Sequence, residues 1–182
     1  MIIYKIYTDG SKTEYGVGAA CYSSQFSKST SLPSVATIYF AEMYAIWLAL
    51  LSVDNSHSKY VIFSDSFSSL LSLKNHNSNH PLVRKIIHKL SKFHQTGKTI
   101  ELCWIPSHTG IEGNSQADKL AVTVARTPEK FVPIYYQDVF PKLKKIINNH
   151  NNQEWTRKNQ KLGEIKRDLQ EWPPTSLSRK GK

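Results

Sequence analysis

Residues 2–12 read IIYKIYTDGSK. Seven β-prone residues run into an acid, Asp9, and Gly10 follows at once. The β-branched and aromatic content predicts a strand, and the Asp-Gly pair predicts a turn at its end. A carboxylate there is either an ordinary turn residue or part of a site where strand ends gather charge. The answer depends on what the other strands bring to the same place.

Working outward, residues 16–23 (GVGAACYS) predict a second strand that pairs back on the first, and after a Ser-rich turn residues 34–40 (SVATIYF) predict a third. The period then changes. Met43, Ile46, Trp47, Leu50 and Leu51 recur at helical spacing over residues 41–53. YVIF at 60–63 is a short, fully apolar run of the kind that fills a central strand. A short helix over 66–73 follows. Leu82, Val83, Ile86, Ile87, Leu90 and Phe93 then mark one face of a longer helix that stops at Gly97. TIELCWI at 99–105 predicts another strand, and residues 112–125 another helix. The order βββαβααβα implies an α/β fold: a five-stranded mixed sheet, antiparallel at one edge and parallel at the other, with helices on both faces.

The 182 residues allow one domain and an appendage, and 40% hydrophobic content is enough for a core. The formal charge of +10 favours an anionic partner, of which nucleic acid is the commonest. It is unevenly spread. Residues 1–125 hold 11 Lys and Arg against 8 Asp and Glu; residues 126–182 hold 13 against 6. With the composition break at Thr127-Pro128, this predicts a domain over 1–126 and a basic, helical extension over 127–182 with a disordered end, LSRKGK. Cys21 and Cys103 lie in apolar strand-like runs without metal-binding spacing, so both are expected as reduced core residues of an intracellular protein, cytoplasmic or nuclear. No apolar run approaches the ~18 residues of a membrane span, and no signal peptide is evident. Met1 leads straight into a strand, as expected of a piece cut from a longer protein.

Four carboxylates fall where packing or element ends are expected: Asp9 after the first strand, Glu42 in the first turn of the first long helix, Asp65 after YVIF, and Asp118 in the last helix of the core. Each has an ordinary alternative: a turn residue, a helix-dipole partner, an N-cap, a solvated side chain. Together they mean more, because ligands collect beyond the carboxyl ends of parallel strands. Carboxylates held close repel unless some protonate or a cation neutralises them. A hard cation with oxygen ligands, Mg²⁺ or Mn²⁺, suits such a site, and two ions about 3.5–4 Å apart clamp a phosphodiester for attack by water.

TDGS at 8–11, AEMYAI at 41–46, FSDS at 63–66 and WIPSHTGIEGNSQADKLA at 104–121 together resemble ribonuclease H. The last stretch matches the H-x-G-I-x-G-N-x-x-A-D block of retroelement ribonuclease H domains, most like those of non-LTR retrotransposon polyproteins. The resemblance covers about residues 1–126. It implies that Asp9, Glu42, Asp65 and Asp118 bind two Mg²⁺ ions (Mn²⁺ substituting), and that His108 in a glycine-flanked loop assists proton transfer or product departure. It also implies an RNA–DNA hybrid as substrate and a reverse transcriptase domain in the same polyprotein as partner. Asn114 is expected to cap the last helix. The pattern departs from the family's at Ser115, where many members carry glutamate, and at Phe67, where some carry glutamine. The amide side chains that read the ribose 2′-hydroxyl in cellular members are not evident, which leaves the reading to backbone groups near Gly10, with Ser11 and Ser66 as candidate donors.

Lys85, Lys89 and Lys92 recur on one face of the 81–95 helix, with Arg84 and His88 beside them. This is either a solvated face or a surface for backbone phosphates. The remaining histidines, His80 among them, are expected to be mostly solvated. The extension carries apolar stripes at Val139, Leu143, Ile146 and Ile147, and at Trp155, Leu162, Ile165, Leu169 and Trp172. The reading is an endonuclease that cuts the RNA strand of RNA–DNA hybrids and is monomeric in isolation. The alternative is an inactive module of the same fold that binds hybrid or tethers a reverse transcriptase. A DNA-acting enzyme such as an integrase is disfavoured by the HTGIEGN loop.

Overall fold

The computed structural model describes residues 3–54 and 57–158. Its elements in chain order are β1 (Tyr4–Lys12), β2 (Val17–Tyr22), β3 (Ser27–Leu32), α1 (Ile38–Leu51), β4 (Lys59–Ser64), α2 (Phe67–Lys74), α3 (Pro81–Gln95), β5 (Thr99–Trp104), α4 (Glu112–Ala125) and α5 (Tyr136–Lys158). The sheet runs β3-β2-β1-β4-β5. β1–β2 and β2–β3 are antiparallel; β1–β4 and β4–β5 are parallel. This is the expected five-stranded mixed α/β sheet. The chain divides into two compact units, residues 1–139 and residues from Phe140 onward.

Two glycines show how helices reach both faces. Gly10 and Ser11 are consecutive in β1, and Ser11 pairs with Gly18 of β2, so Gly10 and Gly18 face opposite sides of the sheet. A Cβ on Gly10 would lie 2.4 Å from the Glu42 nitrogen in α1, and one on Gly18 would lie 2.2 Å from the Ala121 carbonyl oxygen in α4. Helix backbone therefore rests on strand backbone at both places, α1 on one face and α4 on the other. Beneath α1 the core holds Ile6, Phe40, Met43, Ile46, Leu50 and Ile62, joined by Leu82, Val83 and Ile86 of α3, all buried. Each such side chain contributes about 1.5–3 kcal/mol by leaving water.

Three expectations about elements need correction. The third strand is not SVATIYF but SKSTSL, Ser27–Leu32. It is a polar edge strand whose ladder to β2 carries it without an apolar pattern. The TIYF part of the expected strand opens α1 instead: the Thr37 hydroxyl accepts the Phe40 N–H at 3.0 Å, a side-chain N-cap. Glu42 consequently lies in the second turn of α1, not the first. β1 does not turn at Asp9-Gly10 but runs on to Lys12. Its pairing with β4 stops at Thr8, whereas pairing with β2 continues through Asp9 and beyond. Asp9 thus sits just past the end of the parallel ladder while still held in a strand.

Cys21 is buried as expected, but Cys103 is exposed on edge strand β5. His80 is not solvated. Its Nε2 lies 3.1 and 3.0 Å from the two oxygens of Asp138, and the rings of Tyr39 and Tyr135 stand edge-on to it. Val132 joins the core, the Ser31 hydroxyl donates to the Pro128 carbonyl at 2.6 Å, and Glu129 Oε1 accepts the Ser34 N–H at 2.8 Å. The chain beyond Arg126 therefore straps itself onto the first unit as far as Asp138. Leu162, Ile165, Leu169, Trp172 and the LSRKGK end lie outside the described residues.

Candidate active site

The carboxylate cluster is built by three close approaches. Asp9 projects from β1, and the missing Cβ of Gly10 lets α1 descend until Glu42 is beside it. Asp65 directly follows β4, the parallel neighbour of β1. One oxygen each from Asp9, Glu42 and Asp65 lies within 4.8 Å of the others. Gly113 admits the third element. A Cβ there would lie 2.2 Å from the Tyr7 ring, so only glycine lets the start of α4 rest on β1. Asp118, farther along α4, is outside the tight triplet, yet its charge still acts on Asp9 and Glu42.

The electrostatics are those of an uncompensated site. Burial, then the charges of Asp65 and Asp118, push the Asp9 carboxyl up to about 8. Burial, then Asp9 and Asp65, push Glu42 up to about 9, although the Gly10 N–H bonds to it and works the other way. Glu42 Oε2 is buried with no hydrogen-bond partner among the described residues. Orphaned buried carboxylate oxygens, close to others of the same charge, are what a hard divalent cation satisfies. The donor set fits Mg²⁺ or Mn²⁺: carboxylate oxygens only, with no thiol or imidazole among them.

Asn114 was expected as a helix cap, but it sits inside α4, whose N-cap position is Ile111. It is buried, and its Nδ2 donates to Asp65 Oδ2 at 3.2 Å. This positions Asp65 from the α4 side. The sequence signal was its spacing, four residues before Asp118 and so one helical turn away on the same face. Trp104, at the end of β5, was also missed. Its indole Nε1–H donates to the Asp65 carbonyl at 3.1 Å, which steadies the main chain of the same residue.

His108 is exposed in the loop between β5 and α4, at φ 54°, in the left-handed region that few non-glycine residues adopt. Gly110, at φ 79°, shares that loop. Ser11 is half-buried on β1, two residues from Asp9. Ser66 occupies the N-cap position of α2, but its hydroxyl donates to Ser69 at 2.8 Å and does not cap the helix. On α3, the Lys85 ammonium stands 4.5 Å from the centre of the Trp47 ring and that of Lys89 4.8 Å from Phe93, while Lys92 is exposed. Arg84, Lys85 and His88, with His76, line an open groove of about 630 Å³. That groove holds none of the four acids.

The RNase H family model matches residues 3–126. The chain belongs to the RNase H family. The match takes in all five strands, α1 to α4, and each of the four acids. The family's members are nucleases of RNA–DNA hybrids and generally use divalent metal, and the Asp9–Glu42–Asp65 cluster of this RNase H domain is able to hold one. No helix among the described residues is long and apolar enough to cross a membrane.

Proposed function

We propose that this RNase H domain hydrolyses the RNA strand of RNA–DNA hybrids with two divalent ions held by Asp9, Glu42, Asp65 and Asp118, within a retrotransposon polyprotein that also carries a reverse transcriptase. The observation that carries the reading is the triplet of carboxyl groups within 4.8 Å, two of them pushed far above the usual carboxylate range, with an orphaned Glu42 oxygen between elements. When bound, the ions neutralise phosphate charge and lower the pKa of water at neutral pH.

The chain's residues set the geometry of an attack that leaves a 3′-hydroxyl and a 5′-phosphate. Asp9 and Glu42 are fixed on a strand and a helix whose backbones touch, so neither can retreat from the other. Asn114 holds one oxygen of Asp65 and leaves the other free. His108, on its exposed loop, moves a proton at the leaving 3′-oxygen or eases product departure. Ser11 and Ser66 read the ribose, the Ser66 hydroxyl turning away from Ser69 to do so. Lys85, Lys89 and Lys92 meet backbone phosphates. In isolation the domain is a monomer, and it works inside the cell, where hybrids arise.

The test is cleavage of matched RNA–DNA, RNA–RNA and DNA–DNA duplexes with Mg²⁺ and then with chelator. Only the RNA strand of the hybrid should be cut, and only with metal. Asp65→Asn should lower the rate by orders of magnitude while the protein stays folded. Hybrid cleavage that survives in chelator, or a near-normal rate in the Asp65 variant, would overturn the proposal.

A further inference from the structure

The RNase H match ends at residue 126, yet the strap that follows it reaches the helix that carries Glu42. Phe40 and Glu42 are two residues apart in α1, which places them about 160° from each other around the helix axis. The backbone at Glu42 is on the side that rests on Gly10. Phe40 is on the outer side, and it is wholly buried all the same. The Tyr135 ring of the strap stands edge-on to it at 6.3 Å between centroids, and Phe40 in turn stacks on Tyr44 at 5.8 Å. The end of the strap is pinned. Asp138 is buried with both oxygens on His80 Nε2, and the His80 ring lies 5.8 Å from the ring of Tyr39 and 5.8 Å from that of Tyr135. Tyr39 belongs to α1, and its hydroxyl bonds to the Ser72 side chain of α2. One clasp thus joins α1, α2, the start of α3 and the strap.

We infer that the strap is a brace for the carboxylate site: Tyr135, pinned by the His80–Asp138 clasp, presses α1 onto the sheet and so positions Glu42 for a divalent cation. The inference rests on the metal-dependent nuclease reading and extends its machinery past the end of the family match. The backbone contact at Gly10 stops α1 from coming closer to β1, but it does nothing to stop α1 from moving away. Like charges at Asp9, Glu42 and Asp65 favour that outward movement once they ionise. The strap supplies the outer limit, because its ring packs on the far side of the same helical turn. The chain just before α1 is held from the same segment, through Ser31 to the Pro128 carbonyl and through the Ser34 N–H to Glu129. A metal ligand needs its position fixed within about 0.5 Å by the packing around it. Tyr135 touches none of the acids, so it is a positioning residue that acts through α1.

The experiment compares the full wild-type chain with Tyr135→Ala, Tyr135→Leu and Tyr135→Phe. Mg²⁺ and Mn²⁺ are titrated by calorimetry without nucleic acid, below the melting temperature of each protein. Hybrid binding in chelator, kcat and KM are measured on the same samples. Tyr135→Ala should weaken metal binding about tenfold, the low end of what losing a group that orients metal ligands costs. At a fixed Mg²⁺ concentration kcat should fall likewise, while KM and hybrid binding in chelator should hold. Tyr135→Phe keeps the ring and should restore both metal affinity and kcat. Tyr135→Leu keeps apolar bulk without the ring edge and should fall between, and it decides the matter if the alanine variant does not fold. Alanine and leucine variants that melt lower but bind metal as tightly as wild type would overturn the inference and leave the strap a stabilising element only. An equal loss in Tyr135→Phe and Tyr135→Ala would also overturn it, because ring packing would not be the cause. A wild-type chain that binds metal but cuts no hybrid would instead sink the nuclease reading, with the metal affinities still deciding whether the strap is a brace.

Discussion

Metal binding at the carboxylate cluster should release protons, and the number can be worked from the site. Asp9 titrates at about 8 and Glu42 at about 9 in the metal-free protein. At pH 7 the first is about ten-to-one protonated and the second about a hundred-to-one, while a bound divalent ion requires both ionised. Because the Asp9 charge raises Glu42, the two do not titrate independently, and the release falls between about one and two protons per molecule. Isothermal titration of Mg²⁺ or Mn²⁺ in buffers of different ionisation enthalpy measures this directly. Apparent affinity should climb about 10–100-fold per pH unit between pH 6 and 7.5. Stability without metal follows the same shifts. Both folded pKa values lie above the unfolded ones, so the native state holds more protons between pH ~4 and ~9. Stability is then fullest below pH ~4 and is lost as pH rises through that window, by at most about 1.4 kcal/mol per group per pH unit. Added metal should reverse the loss. Heats independent of the buffer would show that the acids are already ionised, and would refute the account of a site held neutral by burial and mutual repulsion.

Other outcomes follow from particular contacts. His108→Ala should lower turnover on the order of 10²-fold with hybrid affinity nearly unchanged; equal rates across neutral pH would make His108 an ordinary loop residue. Asn114→Ala should reduce kcat more than KM, because it frees Asp65 and leaves a buried gap; restoration of the wild-type rate by raised Mn²⁺ would fit a positioning role, and an unchanged kcat would remove it. A chain ended after Val139 should keep metal-dependent cleavage at saturating hybrid, with salt dependence shallower by roughly 0.9 log unit per lost phosphate contact. Ended at Arg126, it should also lose the burial of Val132 and the Asp138–His80 pair and unfold about 2 kcal/mol more easily or worse. Equal melting of the two shortened chains would show that the strap adds nothing.

What was legible in the sequence was what hydrophobic period and motif spacing encode. The order of elements, the mixed sheet, and the acids Asp9, Glu42 and Asp65 that share one space could all be read from residue types. What failed to show was decided between elements. SKSTSL carries no apolar alternation, and it is a strand only because β2 offers a ladder to its backbone. Asp9-Gly10 has the composition of a turn, but the glycine is there because a Cβ would lie 2.4 Å from the Glu42 nitrogen of α1, a reason that lies 32 residues away in sequence. His80 looks like one more surface histidine until Asp138, 58 residues later, covers it. Asn114 has the residue type of a cap, and only the fold shows that its amide faces Asp65.

The same contacts explain how so repulsive a cluster can exist in a folded chain. Three carboxyl groups crowded together are costly to bury and, once ionised, would push β1, α1 and the β4 end apart, so something apolar has to hold those elements together. The core does this from the opposite face of β1. Strand alternation puts Ile6 and Thr8 toward α1, where Ile6 shares the buried core with Phe40, Met43 and Ile46, and puts Tyr7 and Asp9 toward α4. Glu42 alone reaches around from α1, and it does so at the one strand position, Gly10, with no side chain in the way. Gly113 plays the matching part on the other side by letting α4 down onto Tyr7, which brings Asn114 to Asp65. The clustered acids thus occupy the places where backbones touch, and the apolar packing that offsets their cost lies one residue out of phase along the same strand. A change at either glycine would push the elements apart, so the cluster should be lost to geometry before it is lost to charge.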